Sequence, residues 1–232
     1  MIRTLFWKDV VQHARGLFGL AASALALPLV FALLTGSGKD SAGYVGFVFG
    51  YLGVSAPMML AQWFIGQEKI KGTFRVLRLL PVSGFRIMIT KCLGAMLLCL
   101  ILINTTLVLE PAGCQALGIG IAQPRAALVL WTNTAAVFFL GISMALFTIL
   151  DTRIAIQAAI WTLCGLMILG YGAQKYLGKQ DFNAFTERAG PLAGNIGLLC
   201  AAALPVALAA LLLVGLSAWF FERKEWADLE ED

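Results

Sequence analysis

The sequence predicts an all-α polytopic membrane protein: six transmembrane helices, an N-terminal interfacial helix and a cytosolic hairpin between two of the spans. Three observations predict it. Hydrophobic residues make up 60% of the chain and charged residues only 13%, with a mean hydropathy of +0.85, more apolar surface than a water-facing domain can carry without aggregating. The apolar runs are continuous over roughly 18 or more residues and lack the alternating period of a membrane barrel, so each is read as a helix that satisfies its own backbone groups. The charged residues gather at the ends of those runs, where they orient a protein in a bilayer.

Residues 1–15 mix Ile2, Leu5, Phe6 and Val10 with Arg3, Lys8, Asp9, Gln12 and Arg15. Lys8, Gln12 and Arg15 share one helical face, which suits a helix lying in the interface or a charged flank of the first span. The first span covers 17–34, with Pro28 as an expected kink. The loop after it holds Gly38–Lys39, an echo of a phosphate-binding loop. Leu33 and Asp40 stand where that motif needs Gly and Ser or Thr, so no nucleotide-hydrolysing site is visible. The second span covers 44–65; Gly46, Gly50 and Gly53 line one face of it, suited to close helix packing, and Pro57 marks a bend.

The hairpin, 67–86, is the long basic interruption, with Lys69, Lys71, Arg75, Arg78 and Arg86 inside it and Lys91 just beyond. Gly72 permits a turn, Thr73 caps a short helix ending before Pro81, and Ser83 caps the third span. On that short helix Lys71, Arg75 and Arg78 form a basic face; Ile70, Phe74 and Leu77 form an apolar one. Such a piece either lies on the anionic inner leaflet or docks into a partner's groove. The third span covers 87–109 and the fourth 126–150, separated by a loop rich in Gly and Pro; a polar turn at Asp151–Arg153 precedes a fifth span at 154–173. An outer loop follows at 174–191, and a sixth span at 192–221, long enough for Pro205 to bend it, leads into an acidic tail with Trp226 as an expected anchor.

Six spans place both termini on one side, and charge selects the side. With the termini cytoplasmic, twelve Lys and Arg residues lie inside and five (Lys39, Arg125, Lys175, Lys179, Arg188) outside. The expected location is therefore the inner (plasma) membrane, multi-pass. The net charge of +4 belongs to span ends and gives no reason to expect nucleic acid.

Nothing in the spans points to chemistry. No ionisable residue falls mid-span, and His13 precedes the first span and reads as a surface residue. The five cysteines lack metal spacing; Cys92, Cys99, Cys164 and Cys200 read as small packing residues, and Cys114 is expected to face outward. Asn104, Thr105 and Thr106 in the third span and Thr132, Asn133 and Thr134 in the fourth form polar clusters. These either bond between helices or, at Asn104, Thr105, Thr132 and Asn133, line a substrate path. The chain is not expected to be an enzyme or to hold a cofactor.

Glu68–Lys69, Gly72–Thr73, Leu80–Pro81–Val82–Ser83, Lys91 and Gly94 resemble the loop of type 2 ABC exporter permeases, and the likeness extends over the layout of the whole chain. The resemblance implies a permease that works as a dimer with an identical or a different second chain. It implies, too, that each subunit is coupled to a separate cytosolic ABC ATPase, two copies in all, which binds ATP and magnesium. It makes Glu68, Lys71, Gly72, Thr73 and Pro81 part of a coupling hairpin whose Phe74, Leu77 and Arg78 meet the ATPase. Where family members often carry Leu and an acid, this chain has Phe74 and Arg75, so Arg75 is expected to pair with an acid of the ATPase. A haem-exporter-like permease of cytochrome maturation is the nearest alternative within transport; a membrane-embedded enzyme and a non-transporting scaffold are alternatives outside it.

Overall fold

A chain this apolar folds by packing helices whose backbone groups are already paired, and the computed structural model has that character. It describes residues 2–35, 50–71, 82–116, 126–150, 153–158, 160 and 196–227, and every element in them is a helix. α1 (Ile2–Gln12) meets α2 (Ala14–Thr35) at His13, and bonds from His13 N–H to the Asp9 carbonyl and from Leu17 N–H to the His13 carbonyl carry the ladder across the junction. α3 (51–71) alternates two π-helical turns, Tyr51–Ser55 and Gln62–Gly66, with α-helical Ala56–Ala61 and Gln67–Lys71. The first wide turn closes with Ala56 N–H bonded to the Tyr51 carbonyl, directly before Pro57. A proline supplies no N–H and crowds the preceding turn, and a widened turn accommodates both.

α4 (Gly84–Ala116) is 33 residues long, about 50 Å at the α-helical rise. Ser83 caps it as the sequence suggests: its Oγ accepts from Arg86 N–H at 3.4 Å. It also runs past the expected span end, through Pro111 to Ala116, where Cys114 is fully buried. Gly113 lies against Leu29 of α2, so this last stretch packs on the first long helix and is held helical there. α5 (Ala126–Ile149) and α6 (Ile196–Ala227, with Pro205 inside) complete the long helices; residues 153–158 are helical as well.

α4 is the central helix and touches α1, α2, α3, α5 and α6. Its buried stripe is Ile87, Met88, Cys92, Ala95, Cys99, Ile103 and Leu107, while Leu93, Leu97, Ile101 and Val108 are exposed on the opposite face. α5 and α6 form the most extensive pair, and at Gly141 the backbone of Ala210 comes so close that a Cβ would lie 3.1 Å from its carbonyl oxygen. Apart from Phe221, α6 buries small residues (Ala203, Ala210, Ser217, Ala218) and exposes large ones (Leu204, Leu208, Leu212, Leu216). Small inside and large outside is the arrangement expected when the surroundings are hydrocarbon. Gly84–Ala116, Val129–Ile149 and Ala203–Arg223 are three helices long and apolar enough to cross a membrane. The fifth span beyond residue 160, Gly46 of the second-span glycine face and the outer loop 174–191 lie outside the described residues.

Candidate functional site

The most charged part of the interior lies where α1, α3 and α4 meet. Asp9 and His13 are four residues apart, so they share one face of the chain around α1, and both are buried. His13, expected at the surface, is covered, its ring stacked 6.1 Å from that of Phe64, while Trp7 and Val11 are exposed. The acid on this face, Asp9, meets a buried base.

That base is Lys91, two turns into α4. Its Nζ donates to Asp9 Oδ1 at 3.0 Å and Oδ2 at 2.9 Å, and lies 2.9 Å from Glu68 Oε2. Glu68, in the last turn of α3, accepts from Lys8 Nζ at 2.9 Å through its other oxygen. Asp9, Glu68 and Lys91 are each at most 2% exposed, and only Lys8 reaches solvent. Two ammonium groups and two carboxylates balance, which is the condition for burying such a set without a large desolvation loss.

The two acids are not equivalent. Burial pushes the Asp9 carboxyl up, and the attraction of its one close cation, Lys91, does not fully offset it. Burial acts on Glu68 in the same sense. There the charge and hydrogen bond of Lys91, joined by those of Lys8, outweigh it and hold the carboxyl below its ordinary value. Burial lowers the His13 imidazole, and the positive charge of Lys71 adds to that. His13 Nε2 and Thr132 Oγ1 are buried without a hydrogen-bond partner among the described residues.

Lys69, next to Glu68, reaches the other way. Its Nζ donates to the Thr148 carbonyl at 2.8 Å and the Leu150 carbonyl at 3.4 Å, at the C-terminal end of α5. Carbonyls there lack helical partners and carry the negative end of the helix dipole, so a cation is favoured.

Among the sequence-predicted site residues, Glu68 is buried in this cluster and Lys71 is exposed beside it. Gly72, Thr73, Phe74, Arg75, Leu77, Arg78 and Pro81 lie outside the described residues. Asn104 and Asn133 do meet, exchanging amide hydrogen bonds at 3.0 and 3.1 Å between α4 and α5. Their flanking residues diverge: Thr105 is exposed and Thr132 buried, while Thr106 and Thr134 bond carbonyls of their own helices. A crevice between α4, α5 and α6, lined by Cys92, Met96, Met144 and Ala210, measures about 20 Å³, room for no more than a water molecule. Among the described residues no three His, Cys, Asp or Glu side chains are grouped to hold a metal ion.

From the sequence, Lys69 is only a member of the hairpin motif and His13 a surface residue, and Asp9 belongs to no site. The available signal was the acid at Asp9, out of place beside a basic, apolar segment and one helical turn from His13. Comparison with protein-family models, curated proteins and solved structures finds no match.

Proposed function

We propose that this chain is the membrane-spanning permease subunit of an ATP-driven ABC exporter, coupled to a separate cytosolic ATPase and acting with a second permease chain. In this reading it has six spans in the inner (plasma) membrane and both termini are cytoplasmic. The hydrolytic chemistry, with its ATP and magnesium, resides in the partner.

One observation carries the reading. Glu68 and Lys91 stand near the two ends of the hairpin motif, 23 positions apart, and they meet in one buried ion cluster that also takes in Asp9 from α1. The two legs of the hairpin and the N-terminal helix are thereby clasped together at one end of α4. A push on that face by a soluble partner would reach the spans through a stiff joint, which is what an externally powered permease needs.

The test is co-expression with an ABC ATPase encoded beside the gene, solubilisation in mild detergent, and recovery of the complex through a tag on this chain. Hydrolysing ATPase should co-purify, and Phe74→Ala with Leu77→Ala should release it. Recovery of no ATPase, together with unimpaired function of the double variant, would overturn the proposal.

A further inference from the structure

We infer that Lys69 is a positioning residue that helps to carry movement of the hairpin into the fourth span. The inference rests on the permease reading above and extends it from the cytosolic joint to a defined path through the helices.

Successive residues on a helix point about 100° apart, and in the last turn of α3 that separation is used twice. Glu68 faces α1 and α4, where Lys91 and Lys8 hold both of its oxygens at 2.9 Å. Lys69 faces α5, where its ammonium group bridges the carbonyls of Thr148 and Leu150. One helical turn, Gln67–Lys71, is thus fastened to three other helices by adjacent side chains. The two fastenings differ in kind. The Glu68 side is a buried, closely paired set of charges whose separation would strand a carboxylate or an ammonium group out of water. The Lys69 side is a half-buried ammonium group that bridges two carbonyls at the C-terminal end of a helix.

A displacement of the last turn of α3 therefore acts on α1 and the start of α4 through the Glu68 cluster, and on α5 through the packing of α3 along it and the polar tie at Lys69. From α5 it passes to α6, whose backbone abuts Gly141 at Ala210. A lysine that merely capped α5 would affect stability and leave transmission alone, so the test reads transmission. Ile154, exposed just beyond α5, is replaced by cysteine for an environment-sensitive fluorophore, with Cys164 and Cys200 changed to serine. The chain is reconstituted in nanodiscs with its ATPase and given MgATP.

The original Lys69 should give a nucleotide-dependent signal. Lys69→Met should reduce it to less than half, the packing of α3 on α5 carrying the rest, while ATPase binding and hydrolysis stay within about twofold of the starting values. Lys69→Arg, which still donates to carbonyls, should keep at least half of the signal. A full signal in Lys69→Met, or none with Lys69 present and the ATPase bound, overturns the inference. If Lys69→Met does not fold, a spin-label pair at Ile70→Cys and Ile154→Cys with Lys69 intact decides. The spacing should hold through the nucleotide cycle, and a nucleotide-dependent change in it overturns the inference. Failure to recover any ATPase strikes the proposed function instead, and is distinguishable because it precedes the fluorescence measurement.

Discussion

Lys91 serves two carboxylates with one ammonium group, so its loss is more serious than the loss of either acid. Lys91→Met would leave Asp9 buried without a close cation and Glu68 with Lys8 alone, and should cost about 3–5 kcal/mol of stability in detergent unfolding. Adding Asp9→Asn restores charge balance, because Glu68 and Lys8 remain a pair, and should recover most of that loss; a double variant no more stable than Lys91→Met would contradict the geometry. His13 gives a pH dependence of definite sign. Burial holds its imidazole below the ordinary 6.5, so the unfolded chain takes up the proton first as pH falls, and the folded state loses stability from about that value downward. Glu68 adds to the acid-side loss only lower, as pH drops through a value below 4.5, and Asp9, raised above 3.8, opposes that loss by accepting its proton early. Melting temperature followed from pH 7 downward should therefore fall first through the histidine range, and His13→Phe, which keeps a ring against Phe64, should flatten that first decline.

Between elements, the deciding contacts are close approaches that polar pairs then lock. Gly141 is the tightest: a Cβ there meets backbone atoms of Ala210 at 3.1 and 3.3 Å, and backbone cannot rotate aside. Gly141→Val should therefore separate α5 from α6, costing about 1–3 kcal/mol by overpacking. Gly215→Ala, with nothing within 4 Å of the new Cβ, should be neutral or slightly stabilising. Thermal unfolding of the two variants side by side tests the contrast. The Asn104–Asn133 amide pair locks α4 to α5, and the Ser23–Tyr51 hydroxyl pair locks α2 to α3. The apolar content of these helices was plain in the sequence, and so was the cap at Ser83. The π-helical turns were not, because they conserve hydropathy and change only which residues face inward. The extension of α4 through Pro111 was also hidden, since Gly and Pro there read locally as a loop while packing against α2 keeps the stretch helical.

Across the molecule, the ion cluster constrains how the chain can sit in a bilayer. α1 and the first turns of α4 are joined through Asp9 and Lys91, so they must lie on the same side. In the proposed six-span topology that side is the cytoplasm, because it carries the excess of Lys and Arg. In sealed right-side-out vesicles, single cysteines at Trp7→Cys and Ser83→Cys, both exposed positions, should resist a membrane-impermeant thiol reagent and react once the vesicles are opened. Labelling of one but not the other in the sealed state would separate α1 from α4 and rule out the cluster itself.

By itself the sequence determined that the chain is helical, that it carries spans apolar enough to cross a membrane, and that its basic residues collect at their ends. Those properties follow from composition and period, which act along the chain. It also marked Glu68 and Lys91 as members of one motif. Only the tertiary structure decided that the two residues touch, that Asp9 of α1 joins them, that His13 is buried, and that Lys69 turns away to the end of α5. Whether a charged residue is a solvated flank or a buried tie depends on which opposite charge and which free helix end lie within about 3 Å of it, a distance in space that spacing along the chain does not encode.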